Sequence, residues 1–182
     1  MGQEDKLFLN YQGMPIVRHV YQQIATSQVE EVIVVTRNET HLRIRKLLDD
    51  QVTIVDNPRP LTGMTSSIQV GVSATHGDSN AYMICLADQP FLTVEDYNQI
   101  LHGFKIVFPS QPRLIGVPVY QGKKGNPVIL SSGFREEIMR HEHPEGCKEI
   151  VQLNHDHVRK IEVTSDAILR DIDTMEDYRS LI

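Results

Sequence analysis

Short apolar runs rich in β-branched residues alternate with longer segments of helical periodicity, and this alternation limits the possible folds more than any other feature. The runs that predict buried strands are residues 31–36, 52–55, 82–86, 106–108 and 117–120. The segments that predict helices are residues 15–26, 41–48, 66–74, 94–101, 133–139 and 147–153. Strands that alternate with helices favour right-handed crossovers and a sheet covered on both faces. We therefore predict an α/β fold, a three-layer Rossmann-like sandwich around a mainly parallel sheet.

Length and charge exclude several classes of protein. The chain has 182 residues, which suits a single domain spanning residues 1–182. Its formal net charge of -6 is the opposite of what a general binder of nucleic acids or acidic membranes shows. No run approaches the roughly 20 apolar residues of a membrane span, and no secretory signal is visible. With only two cysteines, Cys85 and Cys147, we expect a cytoplasmic protein without a disulfide framework.

Glycine and proline are concentrated between residues 108 and 130, where they divide the chain into short pieces. This density predicts loops and a hairpin, added in antiparallel fashion at one side of the sheet, with residues 122–125 at its tip. Gly125-Asn126-Pro127 lies there beside Lys123 and Lys124. The stretch is either a loop that contacts a second substrate or its phosphate, or a turn with solvated lysines.

Asp88 directly follows the predicted strand 82–86. Ligands of doubly wound sheets bind beyond the carboxyl ends of the strands, and an aspartate there can bind a divalent cation that bridges nucleotide phosphates. Alternatively, Asp88 merely accepts hydrogen bonds from the backbone of the turn. Thr93 and Asp96 follow with the spacing of a capping box, which predicts that a helix starts at Thr93.

A second acidic motif, Asp171-Ile172-Asp173, precedes Thr174, which is predicted to cap a helix together with Asp177. One of its two carboxylates is a candidate second metal ligand. Acidic residues in this position also simply favour the helix dipole, and the motif taken alone fits that interpretation better.

The segment Gly63-Met64-Thr65-Ser66-Ser67 follows the second predicted strand and opens a helix. Glycine permits close approach of the backbone, and hydroxyl and free N–H groups suit phosphate, ribose or base contacts. The alternative is an ordinary Ser/Thr helix cap. Gly71, on the same helix, is expected to allow close packing on the sheet.

Other chemistries find less support. The pairs His141/His143 and His155/His157 lack the ligand spacing of known zinc sites, so we expect solvated histidines. No Gly-x-Ser-x-Gly elbow and no plausible Cys–His pair is present. The residues fit metal-assisted phosphoryl or nucleotidyl transfer without a covalent intermediate best.

Five blocks occur along the chain in this order: Met1-Gly2 with Lys6, Gly63-Met64-Thr65-Ser66-Ser67-Ile68, Ala87-Asp88-Gln89-Pro90, Gly125-Asn126-Pro127 and Asp171-Ile172-Asp173-Thr174. As an ordered set they resemble the molybdenum cofactor cytidylyltransferase family. This family is a branch of the MobA-like NTP transferases with the nucleotide-diphospho-sugar transferase fold. The resemblance covers essentially the whole chain.

The resemblance implies roles for the matched residues. The implied catalytic residues are Lys6, which contacts phosphates, and Asp88 and Asp173, which bind Mg²⁺. The implied nucleotide-binding residues are Gly2, Lys6, Gly63, Met64, Thr65, Ser66, Ser67 and Asp88. The implied substrate-binding residues are Gln89, Pro90, Gly125, Asn126, Pro127 and Lys148.

The chain also departs from the family pattern. Thr65 replaces a serine, Asn126 stands where many relatives have histidine, and Lys148 replaces an arginine, which keeps the charge but loses the bidentate fork. In addition, the sequence begins inside the family's N-terminal fingerprint. We therefore expect the sheet to lack its first, central strand and the glycine-rich loop that cradles the triphosphate.

The implied activity is transfer of CMP from CTP to the phosphate of molybdopterin, with Mg²⁺ as cofactor and release of pyrophosphate. The implied partners are CTP or another NTP, a molybdopterin-type acceptor and a molybdoenzyme. Two alternatives stay open: another transferase of this fold that makes a guanine dinucleotide or a nucleotide sugar, and a noncatalytic chaperone that delivers cofactor to a molybdoenzyme.

Overall fold

The computed structural model describes residues 6–49 and 52–179, so Met1 and Gly2 of the first block lie outside the described residues. The strands are β1 (Asn10–Tyr11), β2 (Met14–Pro15), β3 (Ile33–Thr36), β4 (Thr53–Asp56), β5 (Ala81–Ile84), β6 (Ile115–Tyr120), β7 (Lys123–Lys124), β8 (Val128–Ser131) and β9 (Val158–Glu162). The α-helices are α1 (Ile16–Thr26), α2 (Asn38–Leu47), α3 (Met64–Ala74), α4 (Val94–Val107), α5 (Arg135–Arg140), α6 (Lys148–Leu153) and α7 (Met175–Arg179).

The described strands form a short antiparallel pair of β1 and β2, a parallel pair and a larger mixed sheet. Strands β3 and β4 pair in parallel. In the larger sheet, β8 lies between β5 and β6 and runs antiparallel to both, and β9 pairs in parallel with β6. Strands β5, β6 and β9 therefore point the same way, and only β8 and the short β7 oppose them. The mainly parallel α/β class predicted from the sequence is confirmed.

Helices cover both faces of the larger sheet. In β8, Ile129 belongs to a buried cluster with Phe104 of α4, whereas its neighbour Leu130 belongs to a cluster with Ile68 of α3. This alternation is what a strand produces when both of its faces are buried. Gly71 brings α3 close to the parallel pair, because a Cβ there would lie 3.2 Å from Val35 Cγ2. The predicted close packing at Gly71 is confirmed.

Two features of the strand prediction need correction. The run 106–108 is not a strand, because α4 continues to Val107 and a 3₁₀ helix (Phe108–Ser110) follows it. Phe104 is buried and stacks on Phe108, with 5.5 Å between the ring centroids. The apolar residues of this run therefore pack as the end of a helix. The hairpin is present as β6 and β7, although its turn lies at Gln121 and Gly122.

The predicted capping box at the start of α4 is confirmed. The Thr93 hydroxyl accepts a hydrogen bond from the Asp96 backbone N–H at 3.3 Å, and an Asp96 carboxylate oxygen accepts one from the Thr93 N–H at 2.9 Å. Together these contacts satisfy two amide groups that a helix end otherwise leaves without partners.

Replacing Thr93 with Ala removes this side-chain acceptor and should lower the free energy of unfolding by about 1 kcal/mol. Urea denaturation followed by circular dichroism measures the change. Ser110→Ala is the matched control, because its hydroxyl only donates to the Val107 carbonyl on the exposed surface. Equal stability of Thr93→Ala and the wild-type protein would contradict the capping role.

Across residues 6–49 and 52–179, no helix combines the length and the apolar character needed to cross a membrane.

Candidate active site

Lys6, Asp88 and Asp173 meet at one point of the structure, although they are far apart in the sequence. The Lys6 ammonium donates hydrogen bonds to Asp88 Oδ2 at 3.1 Å and to Asp173 Oδ1 at 3.3 Å. The Lys6 side chain is 10% exposed, against 21% for Asp88 and 67% for Asp173. The cluster therefore opens to solvent on the Asp173 side, where a ligand can enter.

Backbone contacts set the separation of the two aspartates. Asp88 follows β5 at its carboxyl end, and its carbonyl oxygen accepts a hydrogen bond from the Ile172 N–H at 2.9 Å. The next residue, Asp173, therefore lies beside Asp88. Thr174 and Asp177 then cap α7 reciprocally, as predicted, with the Asp177 carboxylate 2.7 Å from the Thr174 nitrogen. This contact fixes the segment that carries Asp173.

The electrostatics of this site are dominated by an excess of carboxylates. Burial acts to lower the pKa of Lys6, but its hydrogen bonds and charge interactions with Asp88 and Asp173 outweigh burial, so its pKa is raised. Burial and the negative charges of Asp173 and Asp88 raise the pKa of Asp171. The negative charges of Asp88 and Asp173 therefore act on the nearby carboxylate of Asp171. The single Lys6 ammonium does not neutralise all three carboxylates.

The two carboxylates fit a divalent cation. Asp88 and Asp173 both reach the same cationic nitrogen, so their oxygens converge on one position. Oxygen donors of this kind suit Mg²⁺ and Mn²⁺, and Mg²⁺ is usually held by one or two carboxylates together with substrate phosphates and water. Among the described residues, no group of three or more His, Cys, Asp or Glu side chains has the geometry of a metal site. A cation held by these two carboxylates would take its further ligands from water or from substrate oxygens.

The glycine-rich hairpin reaches the same end of the sheet. The Asn126 N–H donates to the Ile168 carbonyl at 3.0 Å, and the chain from Ile168 leads directly to Asp173. At Gly125 a Cβ would lie 2.3 Å from the Ile168 oxygen, so only glycine permits this approach. The structure thus brings the predicted substrate residues Gly125, Asn126 and Pro127 to the segment before the acidic motif.

The block at residues 63–67 forms the first turn of α3, and several of its polar groups contact protein. The Asn57 side-chain amide donates to Ser66 Oγ at 2.8 Å and to Ser67 Oγ at 3.0 Å. The hydroxyl of Ser66 donates to the Gly63 carbonyl at 3.0 Å. Thr65 and Ser66 are buried, whereas Met64 is exposed. The more accessible members of this predicted nucleotide-binding block are therefore Gly63, Met64 and Ser67.

Asn57 was missed by the sequence interpretation, although its position carries a signal. It directly follows β4, at the carboxyl end where polar ligand contacts gather in this class of sheet. It is 4% exposed, and its side-chain oxygen Oδ1 accepts a hydrogen bond from the Arg59 backbone N–H at 2.8 Å. The hydrogen bonds from Asn57 to Ser66 and Ser67 therefore hold the turn at residues 63–67 in place.

Three other predicted substrate residues lie in different surroundings. Gln89 and Pro90 are buried behind Asp88. The Gln89 side-chain oxygen has no hydrogen-bond partner among the described residues. Lys148 is exposed and pairs with Glu145 at 2.8 Å. In this structure neither Gln89 nor Pro90 presents an open surface to a ligand.

The expectation of solvated histidines is wrong for His141. Its side chain is 10% exposed, and its Nδ1 lies 3.6 Å from Glu149 Oε2. Its ring packs 6.3 Å from that of His143.

Comparison with known structures supports the fold. Rv0371c from Mycobacterium tuberculosis H37Rv superimposes with a TM-score of 0.81 at 21% identity, covering 97% of this chain and 87% of that one. The manganese complex of Rv0371C gives a TM-score of 0.79 at 21% identity, with 99% and 92% covered. A CMP:2-keto-3-deoxy-manno-octonic acid synthetase complexed with CTP gives 0.71 at 16% identity, with 97% and 90% covered.

Comparison at the sequence level identifies the family. No curated protein matches the chain. A family model for the MobA-like NTP transferase domain matches residues 1–159, which is most of the 182 residues. The chain therefore belongs to the family of MobA-like NTP transferases.

Proposed function

We propose that this protein is a divalent-metal-dependent nucleotidyltransferase that transfers CMP from CTP to the terminal phosphate of molybdopterin and releases pyrophosphate. One observation carries the proposal: the Lys6 ammonium contacts both Asp88 and Asp173 at the carboxyl end of β5. A lysine beside two converging carboxylates is suited to a nucleotide triphosphate bound with Mg²⁺.

In the proposed reaction, an oxygen of the acceptor phosphate forms a bond to the α-phosphorus of CTP. The bond from that phosphorus to the bridging oxygen breaks, and pyrophosphate leaves with the electron pair. Asp88 and Asp173 would hold the cation, which neutralises charge on the phosphate oxygens. Lys6 binds the pyrophosphate side, and Asn126 and Lys148 are proposed to contact the acceptor. Catalysis then rests on positioning and charge neutralisation.

The choice of CTP and the cation is supported by relatives of the same fold. One solved neighbour is complexed with CTP, and another with manganese. The choice of molybdopterin rests on the order of the five sequence blocks. Cys85 and Cys147 are free thiols, which fits the cytoplasm that we propose as the compartment.

A second part of the proposal concerns the sheet itself. Among the described residues, β3 pairs only with β4 and β5 only with β8, yet α3 packs against both β3 and β5. Val34 and Val35 of β3 and Met83 and Ile84 of β5 are only partly buried. We propose that one further strand, followed by a glycine-rich loop, completes the sheet between these two edges.

Pyrophosphate release tests the activity. The protein is incubated with molybdopterin, Mg²⁺ and each of CTP, GTP, ATP and UTP. We expect release with CTP in preference to the others by at least about 10²-fold, since a site built to hydrogen-bond one base leaves its own polar groups unpaired with another. Slow hydrogen exchange of the β3 and β5 amides at the two edges would support the additional strand.

The same assay, repeated with a sugar phosphate as acceptor and accompanied by a measurement of molybdopterin binding, separates the alternatives. Release with GTP or UTP, or only with a sugar phosphate as acceptor, would favour another transferase of this fold. Binding of molybdopterin without release from any nucleotide, in a verified folded sample, would favour the cofactor chaperone.

A further inference from the structure

The loop at residues 141–147 forms hydrogen bonds with the predicted nucleotide-binding turn at residues 63–67. The loop at residues 141–147 connects α5 to α6 and lies over the first turn of α3. The Met64 N–H donates to the Pro144 carbonyl at 3.0 Å, and the Thr65 hydroxyl donates to the His143 carbonyl. The Gly146 N–H donates back to the Thr65 hydroxyl at 3.1 Å. One buried hydroxyl thus joins two points of the loop.

The backbone of both segments is shaped for this contact. Gly63 has φ +95, and a Cβ there would lie 2.6 Å from the Pro144 oxygen. Gly146 has φ +69, and a Cβ there would lie 2.9 Å from Met64 Sδ. Both backbone conformations favour glycine. The approach at Gly63 also requires glycine, because the Pro144 backbone leaves no room for a Cβ.

Further contacts anchor the same loop. Gln69, one turn further along α3, donates from its side-chain amide to the Ile138 carbonyl at 3.0 Å and to the His141 carbonyl at 2.8 Å. Thr65 is 5% exposed, so its hydroxyl has no room for a ligand in this structure. Directly after the loop, α6 begins with Lys148, the predicted acceptor contact.

We propose that Thr65 is a positioning residue rather than a ligand contact. Its hydroxyl holds the 141–147 loop against the turn at residues 63–67, and thereby sets the nucleotide-binding turn relative to Lys148. This inference rests on the proposed function, because it assigns the turn to nucleotide binding. It predicts that loosening the loop weakens nucleotide binding even when the turn itself is unchanged.

A double-mutant cycle tests this coupling. Calorimetry measures the binding of CTP with Mg²⁺ to the full chain carrying Thr65→Val, Gly146→Ala or both. We expect each single change to weaken CTP binding about tenfold, and the double variant to be little weaker, because both changes release the same contact. Thr65→Ser keeps the hydroxyl and should restore binding. Ser73→Ala on α3 and Gly133→Ala outside the contact are the matched controls.

Hydrogen exchange provides a readout without any ligand. Loss of the Thr65 hydroxyl should speed exchange of the Gly146 amide in Thr65→Val, but not in Thr65→Ser. Two results would overturn the positioning role of Thr65. One is a loss of CTP affinity of about a hundredfold in the double variant, which would mean that the two changes act independently. The other is normal CTP binding by a folded Gly146→Ala variant. Failure of the wild-type protein to bind any nucleotide would overturn the proposed function and the role of Thr65 within it. Unchanged exchange of the Gly146 amide in Thr65→Val would overturn only the contact between Thr65 and Gly146.

Discussion

Replacing Asp88 with Asn should abolish nucleotidyl transfer while leaving the fold intact. The change removes one of the two carboxylates that contact Lys6, and with it one of the two proposed protein ligands of the cation. The backbone carbonyl of Asp88 still accepts the Ile172 N–H, so the acidic segment stays in place. We expect the rate of pyrophosphate release to fall at least about 10²–10³-fold, as when an electrostatic contact to the transition state is lost.

The control for this variant is Asp78→Asn. Asp78 is an exposed acid in the turn before β5, so the substitution makes the same change of charge away from the site. It should leave the rate and the binding of Mn²⁺ unchanged. Retained transfer in Asp88→Asn, or an equal loss in both variants, would remove Asp88 from the metal site.

Replacing Lys6 with Ala should have opposite effects on cation binding and on transfer. In the structure, the Lys6 ammonium occupies the position between the carboxylates where a divalent cation would bind. Without nucleotide, its removal should tighten Mn²⁺ binding about tenfold, or by about 1.4 kcal/mol, because a competing positive charge is lost. With nucleotide, transfer should fall about 10²-fold, because the phosphates lose a cationic partner.

Lys123→Ala is the matched control, because Lys123 is exposed on β7. It should change neither quantity. Titration with Mn²⁺, followed by electron paramagnetic resonance of the free ion, measures the first effect, and pyrophosphate release the second. Weaker Mn²⁺ binding by Lys6→Ala would show that Lys6 supports the cation rather than competes with it.

Several features of the fold could be predicted because the residues that determine them lie close together in the sequence. The capping boxes at Thr93 and Thr174 lie within four residues each, so the sequence contains both partners. Asp88 was identifiable because a polar residue follows an apolar strand at the edge where ligands bind. The run 106–108 was misassigned because a short apolar run has the same appearance in a buried strand and at a helix end.

The remaining features depend on distant partners. Strand β9 offers few apolar residues and is recognised only by its pairing with β6. The hydroxyl of Thr65 looked available to a nucleotide, but its partners lie about eighty residues later, in the 141–147 loop. Similarly, only the structure shows that Lys6 and Asp173, separated by 167 positions, contact each other. No local pattern contains such information.

In the proposed reaction, Asp88 and Asp173 hold a cation that also contacts the phosphates of CTP. Electron–nuclear double resonance of bound Mn²⁺ tests it, in protein labelled with carbon-13 in the aspartate side chains and mixed with CTP. We predict that one Mn²⁺ population couples to both carbon-13 and phosphorus-31, and that the Asp88→Asn, Asp173→Asn double variant loses the carbon-13 coupling. Coupling to phosphorus-31 alone in the wild-type protein would contradict binding of the cation by Asp88 and Asp173.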